Sequence, residues 1–123
     1  ECQILQKLDH PNIIKYWGVY ESDDNIYIVT DLCEGNDLFT EYCKTSDVMA
    51  EKDAAVLIRT VIKALIHCHS NDVIHRDIKL ENIMFNSKEV TDFSDIQIID
   101  FGLSKKKQSG FGMLSTVVGS PYF

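Results

Sequence analysis

The sequence lacks the features that mark secreted, membrane-spanning or nucleic-acid-binding proteins. Its cysteines include no C-x-x-C pair and no histidine at metal-ligand spacing, which argues against a disulfide framework and against a zinc site. No apolar run approaches the roughly 20 residues that cross a bilayer, so we expect no membrane segment. The net charge of −7 opposes nucleic-acid binding, which needs a basic surface. We therefore expect a cytoplasmic protein, with the nucleus left open.

Two further absences concern the ends of the chain. It begins at Glu1 rather than at a methionine and has no signal peptide, so we expect the true N-terminus to lie upstream. At 123 residues it is long enough for one modest domain but short for a catalytic unit of two lobes. The one basic run, residues 105–107, is expected to belong to a solvated loop rather than to an arm that binds nucleic acid.

Hydrophobic periodicity predicts both helices and short strands. A predicted helix over residues 1–8 ends before Pro11. Two β-rich runs, at 13–20 and 25–32, lie on either side of the polar turn 21–24 and predict an antiparallel pair of strands. The elements predicted after this pair are helices at Leu38–Lys44 and Glu51–Ser70, strands at Val73–Ile74, Ile83–Phe85 and 96–99, and a loop at 102–123. The expected core stripe of the longer helix is Ala54, Ile58, Val61, Ile62, Leu65 and His69.

Polar residues are concentrated in two loops that follow predicted strands. Residues 75–82 place His, Arg, Asp, Lys, Glu and Asn between two apolar strands, and a third strand ends in Asp100. Side chains at strand ends can converge, so Asp77, Asn82 and Asp100 would form the oxygen-rich site that Mg²⁺ prefers. Lys79 would add a positive charge for phosphate oxygens.

Together the two loops resemble those of a known family. The run His-Arg-Asp-Ile-Lys-Leu-Glu-Asn at residues 75–82, followed by Asp-Phe-Gly at 100–102, resembles the catalytic and metal-binding loops of the eukaryotic protein kinases. The resemblance extends over essentially the whole chain. Residues 1–5 are similar to the helix that carries an ion-pairing Glu, residues 8–14 to the turn after it, and residues 118–122 to the start of the substrate-docking loop.

The resemblance implies a partial, two-lobed protein-kinase fold of the α+β class. Part of the N-lobe would comprise residues 1–30, the hinge 31–36, and part of the C-lobe 37–123, with the activation loop at 100–123. The family's Gly-rich loop and phosphate-anchoring lysine precede residue 1, and supporting helices follow residue 123. We therefore expect this segment to be inactive and poorly folded alone.

For the reaction, the resemblance implies ATP and Mg²⁺ as cofactors and a protein as substrate. Asp77 would orient the substrate hydroxyl, and Lys79 would stabilise the transferring phosphoryl group. A lysine at this place resembles the Ser/Thr class rather than tyrosine kinases. Asn82 and Asp100 would hold Mg²⁺. The positions matched to the nucleotide site are Glu1, Thr30, Asp31, Cys33, Asp37, Glu81, Asn82, Met84 and Asp100.

Several of these positions have a plainer interpretation that the sequence leaves open. Glu1 could be a solvated helix residue, and Thr30 an ordinary strand residue. The polar residues of the two loops could be surface groups. His75 would be a core histidine, and within the family its role is structural rather than catalytic.

Arg76 implies regulation, because it precedes the catalytic Asp as in kinases whose activation loop is ordered by phosphorylation. The phosphate acceptor would be Thr116, with Ser115 as an adjacent rival, and the alternative is that both are plain loop hydroxyls. Glu81 resembles the acidic residue that recognises basic side chains before the acceptor hydroxyl. Substrates with Arg or Lys at that place are therefore expected.

Within the superfamily, residues 35–39, 81–85 and 98–105 are most similar to the calcium/calmodulin-dependent and calcium-dependent protein kinases. The chain contains no D-x-D-x-D-G loop, so any calcium-sensing module would lie outside it. An alternative class is a pseudokinase that serves as a scaffold or allosteric partner, which an upstream sequence without the glycines and the lysine would favour. A small-molecule kinase of the same fold is the third, less favoured class.

Overall fold

The computed structural model of the chain describes residues 8–44, 48–101 and 105–106. The described elements are, in chain order, β1 (Tyr16–Glu21), β2 (Ile26–Thr30), α1 (Leu38–Lys44), α2 (Glu51–Ser70), β3 (Val73–Ile74), a 3₁₀ helix (Leu80–Asn82), β4 (Ile83–Phe85), β5 (Ile96–Ile98) and β6 (Lys105–Lys106). Helices and antiparallel strand pairs confirm the predicted α+β class. The predicted helix at residues 1–8, apart from Leu8, and the predicted sites at Glu1, Ser115 and Thr116 lie outside the described residues.

Strands β1 and β2 form the predicted antiparallel hairpin, since both are rich in β-branched and aromatic residues. The turn between them is closed by a 2.8 Å backbone hydrogen bond from Ser22 to Asn25. The first strand begins at Tyr16 and not at residue 13 as predicted, because Ile13 forms a parallel bridge with Ile98 of β5 instead. Ile13 is only 2% exposed there, so burial against a distant strand outweighs its local pairing in the hairpin.

The predicted helices at Leu38–Lys44 and Glu51–Ser70 both occur with the predicted bounds. Asp37 caps α1, because its carboxylate accepts the backbone N–H of Thr40 at 2.8 Å and the Thr40 hydroxyl at 2.6 Å. Helix α2 is followed by Asn71 and by Asp72, whose φ of 60° lies in the left-handed region and turns the chain away from the helix axis. Within the described residues, neither helix combines the length and apolar character that crossing a membrane requires.

The buried face of α2 agrees only in part with the predicted stripe, because Val61 and Leu65 are partly buried and pack against the core. Its buried residues are Leu57, Thr60, Ala64 and Cys68. Two residues of the predicted stripe, Ile58 and Ile62, are instead 57% and 51% exposed, and His69 is exposed as well. The small side chains at positions 64 and 68 allow β3 and β5 to approach the helix closely, which the bulkier isoleucines would prevent.

Two apolar clusters hold the described chain together. The first joins the turn at residues 8–14 to α2, β3 and β5, and its buried members are Leu8, Ile13, Ile14, Ala64, Cys68, Val73, Ile98 and Phe101. The second packs both helices against the β4–β5 pair, and its buried members are Leu38, Leu57, Ile83, Phe85 and Ile96. Strand β5 contributes to both clusters, so it links the two halves of the core.

A short strand replaces part of the predicted loop. Lys105 and Lys106 of β6 pair antiparallel with Ile74 and Val73 of β3. The prediction that residues 105–107 form a loop is therefore wrong at the first two of these positions. Lysine is depleted in strands, so this pair gives no strand signal in the sequence, unlike the apolar pair Val73–Ile74, and the pairing with β3 decides that the strand forms.

Candidate active site

The carboxylate of Asp77 lies at the centre of the candidate active site. The residue follows β3 and is only 8% exposed. Asn82 donates its amide Nδ2 to the Asp77 backbone carbonyl at 2.8 Å and to the carboxylate Oδ2 at 3.1 Å. The Lys79 ammonium also lies 3.1 Å from Oδ2. Three of the predicted site residues are therefore in direct contact, and the Asp77 carboxylate has a defined orientation.

His75 connects the two loops that carry the predicted site. Its Nε2 lies 3.0 Å from the carbonyl oxygen of Ile99, and its Nδ1 accepts the backbone N–H of Asp77 at 3.3 Å. Because Nδ1 accepts a hydrogen bond, the proton of the neutral ring is on Nε2 and is donated to Ile99. Phe101 packs edge-on against the ring at a centroid distance of 4.6 Å, and both residues are almost fully buried.

The surroundings of His75 keep its ring neutral. Burial lowers the pKa of His75 below its ordinary value of 6.5. The hydrogen bond to Ile99 and the nearby carboxylates of Asp100 and Asp77 act in the opposite direction but do not outweigh desolvation. A neutral ring is also what the two hydrogen bonds require. The geometry therefore supports a structural role for His75, which positions the loops.

Ile99 places Asp100 beside the loop that carries Asn82. The Ile99 backbone N–H donates to the Asn82 carbonyl at 2.9 Å, and the Ile99 carbonyl accepts from His75. Asp100 is the next residue, and it is exposed at the same junction. Both amide N–H groups of Asn82 are directed to Asp77, so its Oδ1 is the atom that can coordinate a cation. The predicted metal-binding pair therefore lies on two adjoining chain segments.

Two non-glycine residues of the site adopt left-handed backbone conformations. Arg76 has a φ of 70° and Asp100 a φ of 58°. For arginine this conformation costs about 1–2 kcal/mol, whereas aspartate tolerates it better. Such conformations persist only where the surrounding structure enforces them, and they are concentrated at functional sites. Here the hydrogen bonds of the neighbouring residues His75 and Ile99 hold the backbone in place.

Residues 31–36 join β2 to α1 and are attached to the rest of the fold at both ends. Asp31 donates its backbone N–H to the carbonyl of Lys15 at 3.0 Å, and Gly35 donates to that of Phe85 at 3.1 Å. Gly35 is required by this close approach, because a Cβ there would lie 2.5 Å from the carbonyl oxygen of Ser87 and 2.6 Å from that of Phe85. The segment predicted to be the hinge therefore has a defined path.

Among the predicted nucleotide residues, Thr30 ends β2, and Asp31 and Cys33 lie on this connection; all three are half-buried. The Thr30 hydroxyl donates to the Asp31 carbonyl at 3.1 Å, and the Cys33 thiol lies 3.5 Å from Oε1 of Gln97 on β5. Burial raises the pKa of the Cys33 thiol, and the negative charges of Asp31 and Asp95 raise it further. Cys33 is therefore a thiol that donates a weak hydrogen bond, not a reactive thiolate.

Asp37 and Met84, also predicted to contact the nucleotide, are paired by an antiparallel bridge. The Asp37 carboxylate caps α1, so the predicted ribose-binding acid also has a structural role. Burial by itself raises the pKa of Asp37, but the hydrogen bonds donated by Thr40 outweigh it, and the pKa lies below its ordinary value of 3.8. Asp37 is therefore ionised at neutral pH. Glu81 is exposed on the 3₁₀ helix beside Asn82.

Some residues that hold this site were not identified from the sequence. They are Asn12, Trp17, Gly35 and Ile99. Ile99 acts through its backbone N–H and carbonyl, so its side-chain type carries no signal of this role. Asn12 could have been found, because a side-chain amide directly after Pro11 in a turn is a common source of hydrogen bonds to neighbouring backbone.

Comparison with known proteins finds similar sequences over the whole chain. The chain matches the family model described as protein kinase domain over residues 1–123. It is 40% identical over 123 residues to calcium-dependent protein kinase 5 of Plasmodium falciparum, an alignment that covers 100% of this chain and 21% of that protein. It is 39% identical over 124 residues to calcium-dependent protein kinase 10 of Arabidopsis thaliana, an alignment that covers 100% of this chain and 22% of that protein. It is 38% identical over 121 residues to calcium/calmodulin-dependent protein kinase type 1 of Macrobrachium nipponense, an alignment that covers 98% of this chain and 34% of that protein.

These curated relatives are much longer than the chain, which spans about a fifth to a third of their lengths. The matches confirm the predicted similarity to calcium-dependent and calcium/calmodulin-dependent kinases. The match over residues 1–123 also confirms the partial fold that was predicted.

Proposed function

Because the chain belongs to the protein kinase family, we propose that it transfers the γ-phosphoryl group of ATP to a Ser or Thr hydroxyl of a protein substrate. The observation that carries this proposal is the buried Asp77 carboxylate, which Lys79 and Asn82 each contact at 3.1 Å. Phosphoryl transfer needs little covalent chemistry from the protein and depends on positioning and on stabilisation of charge. A carboxylate of defined orientation beside a lysine supplies both.

Asp77 is proposed to orient the substrate hydroxyl and to accept its proton. A carboxylate is a weak base, but a hydroxyl held within hydrogen-bond distance can lose its proton as the bond to phosphorus forms. Asn82 holds the Asp77 side chain, and His75 holds its backbone N–H. The carboxylate is therefore oriented before a substrate binds.

Lys79 is proposed to stabilise the negative charge of the transferring phosphoryl group. Its side chain is 22% exposed, so the ammonium can contact a phosphate oxygen while it balances the charge of Asp77. A lysine two residues after the catalytic aspartate also resembles the Ser/Thr class. This similarity supports serine and threonine, rather than tyrosine, as the acceptor residues.

Asn82 and Asp100 are proposed to hold Mg²⁺. The donor set fits this ion, because Asn82 can present Oδ1 and Asp100 presents an exposed carboxylate. When bound, the ion would neutralise charge on the phosphates of ATP. The backbone hydrogen bond between Ile99 and Asn82 keeps the two donors at one junction.

The base and ribose of ATP are proposed to bind along residues 30–37. Asp31 and Cys33 would contact the nucleotide, and Asp37 would lie near the ribose. Because the side chain of Thr30 is small, a pocket behind the hinge would remain accessible. The remaining members of the proposed set are Glu1, Glu81 and Met84. We also propose the division into an N-lobe part at 1–30, a hinge at 31–36 and a C-lobe part at 37–123, which the path of residues 31–36 from β2 to α1 supports.

Regulation is proposed to act through Arg76 and a phosphorylated Thr116, with Ser115 as the alternative acceptor. A phosphate adds about −1.5 to −2 charge, which a guanidinium can bind in a bidentate manner. The proposed substrates are cytoplasmic proteins with basic residues before the acceptor, where the exposed carboxylate of Glu81 would meet them. The names of the relatives support control by calcium through a module outside this chain.

The experiment compares the intact protein with its Asp77→Asn variant in phosphoryl transfer from labelled ATP to a serine peptide with arginine before the serine. Loss of the base is expected to lower kcat by a factor on the order of 10²–10⁴. The matched control is Asp72→Asn, in the same connection between α2 and the 3₁₀ helix. Asp72 is exposed with a φ of 60°, a conformation that asparagine also tolerates, so transfer should be unchanged.

Each outcome bears on one part of the proposal. Transfer by Asp77→Asn at the wild-type rate would contradict the role given to Asp77. A wild-type protein that binds ATP but transfers nothing would favour the pseudokinase scaffold. Replacing the acceptor serine by tyrosine should abolish transfer, and equal transfer to both peptides would contradict the Ser/Thr assignment.

A further inference from the structure

His10 lies in the turn at residues 8–14, which packs against α2 and β5. Its Nδ1 accepts the backbone N–H of Asn12 at 3.1 Å. Its ring faces that of His67 on α2, with 5.3 Å between the ring centroids. A nitrogen that accepts a hydrogen bond carries no proton, so this turn requires Nδ1 of His10 to be unprotonated.

Asn12 is the residue through which this turn holds β5. Its side-chain Nδ2 donates to the carbonyls of Ser94 at 3.0 Å and Ile96 at 2.8 Å, and its own carbonyl accepts the backbone N–H of Ile98 at 2.9 Å. Strand β5 ends at Ile98, two residues before Asp100. The position of Asp100 therefore depends on a turn that lies far from it in sequence.

We propose that His10 is a positioning residue for the catalytic centre, and that protonation of its ring releases Asn12 and, with it, the strand that leads to Asp100. A protonated ring would point an N–H at the Asn12 N–H and would place a positive charge beside His67 and Lys63. The effect on phosphoryl transfer rests on the proposed function, whereas the opening of the turn does not.

The charges around His10 favour its neutral form. Burial lowers the pKa of His10 below its ordinary value of 6.5, and the positive charges of His67 and Lys63 on α2 lower it further. The other charged residues that line the cavity of about 300 Å³ beside His10 are Asp9, Lys15 and Asp31. The two carboxylates among them do not reverse the shift, so the direction is set by burial and by α2.

His67 is attached to the end of its own helix. The side-chain Nδ2 of Asn71 donates to the backbone carbonyl of His67 at 2.9 Å and lies 3.4 Å from its ring Nε2. Asn71 directly follows α2, so this contact holds the His67 ring near the end of the helix, where it faces His10.

The closed turn is stable at neutral pH and weakens in acid. Between 6.5 and the lowered pKa of His10, the open turn binds a proton and the closed turn does not, so a fall in pH favours opening. The effect begins as the pH falls through 6.5 and is complete below the pKa of the closed state. Each unit by which the fold lowers this pKa corresponds to about a tenfold change in the opening equilibrium.

The experiment measures hydrogen exchange of the Asn12 and Ile98 amides in the intact protein from about pH 7.5 to about pH 5.5, corrected for the intrinsic rate, with kcat measured in parallel. In the wild type, both amides should lose protection, and kcat should fall, as the pH decreases. His10→Asn should show neither change, because an asparagine side chain also accepts from the backbone N–H two residues on but cannot be protonated. His10→Ala removes the acceptor and should lower protection at every pH.

The matched control is His69→Gln. It changes an exposed histidine on α2, the helix that carries His67, and should behave as the wild type does. His67→Gln removes one neighbouring positive charge and should reduce the pH dependence. The same acid-induced loss of protection in His10→Asn as in the wild type would overturn the proposal.

An NMR titration of the wild-type His10 ring decides the question if His10→Asn does not fold. A pKa below 6.5 with loss of Asn12 protection over the same pH range supports the proposal, and a pKa at or above 6.5 overturns it. Because exchange needs no catalysis, a protein that opens in acid but transfers no phosphoryl group at any pH counts against the proposed function alone.

Discussion

The β1–β2 hairpin and the junction between residues 75–82 and 96–101 are built in opposite ways. In the hairpin, the most exposed apolar residues are Trp17, Tyr20, Ile26 and Tyr27, at 54–69% exposure. In the junction, the least exposed residues that form the site are His75, Asp77, Asn82 and Phe101, at 8% exposure or less. The hairpin is held by its own ladder of backbone hydrogen bonds, whereas the junction is held by contacts between distant segments.

This difference shows where side-chain chemistry matters for the described fold. Exposed apolar faces gain nothing from burial until something covers them, so single truncations in the hairpin should be tolerated. In the junction, each buried group has a specific partner, and removal of one leaves a cavity or an unpaired polar atom. Substitutions matched between the two regions can test this contrast, because the residues changed differ in exposure more than in size.

The largest difference is expected between Phe101→Ala and Tyr27→Ala. Phe101 is fully buried against His75, and its truncation should lower the free energy of unfolding by about 3–5 kcal/mol. Tyr27 is 54% exposed and faces Tyr20 across the hairpin, so its truncation should cost less than about 1 kcal/mol. Chemical denaturation of the intact variants measures both, and equal losses would show that the hairpin is as dependent on packing as the junction.

Cysteine reactivity should show a comparable contrast between the buried core and an exposed helix. Burial raises the pKa of Cys68 to about 11 from an ordinary value of 9.0, and the residue is fully buried, whereas Cys43 on α1 is exposed. The higher pKa alone should reduce the thiolate of Cys68, and hence its rate of alkylation, by about 100-fold near pH 8. Peptide-level mass spectrometry after iodoacetamide treatment measures this. Both residues should react at similar rates in denaturant, and rapid alkylation of native Cys68 would contradict its burial.

Two glycines allow the same contrast to be tested on the backbone. A Cβ at Gly35 would lie 2.5–2.8 Å from atoms of Ser87 and Phe85, so Gly35→Ala should cost about 1–3 kcal/mol. The atoms nearest to a Cβ at Gly18 in the hairpin belong to the Tyr20 side chain, at 3.4 Å or more. Gly18→Ala should leave stability unchanged or raise it by up to about 1 kcal/mol. If the two variants unfold at the same denaturant concentration, the close approach at Gly35 is not a constraint.

The smallest effect is expected where the hairpin meets the predicted hinge. The Trp17 ring donates its N–H to the Asp31 carboxylate at 2.6 Å, and the Lys15 ammonium lies 4.5 Å from the ring centroid. The bond is exposed, so Trp17→Phe should cost less than about 1 kcal/mol and change ATP affinity by less than about fivefold. Tyr20→Phe, which removes a hydroxyl near the other end of β1, is the control and should change neither. Binding calorimetry with ATP would reveal a larger role for Trp17 as a loss of affinity well beyond this range.

Helix bounds could be predicted from sequence, but the buried face of the longer helix could be predicted only in part. Periodicity over 51–70 defines a helix, yet it is compatible with more than one apolar face. The isoleucines at 58 and 62 are more hydrophobic than Ala64 and Cys68, and they are nevertheless the exposed ones. Steric fit to β3 and β5 decides this, and the sequence of one helix does not contain the shape of its neighbours.

Most of the candidate site could likewise be predicted as a set of residues but not as a geometry. The order and spacing of the polar residues at 75–82 and at 100 predicted the site chemistry and the family. The contacts that hold these residues come from groups without a sequence signal, such as the backbone of Ile99 and the ring of His10. Their effects act between segments that are separated by tens of residues, and local patterns contain no information at that range.

The sequence by itself therefore determined the α+β class, the bounds of both described helices, and the residue types of a kinase catalytic loop. Propensity, periodicity and motif spacing are local properties, which is why they could be read from a single chain. Only the tertiary structure decided which helix face is buried, that Ile13 pairs with β5 and not within the hairpin, and that His75 holds the loop of Asp77 against the segment leading to Asp100. Each of these depends on steric fit or hydrogen bonding between distant segments, which exist only once the chain has folded.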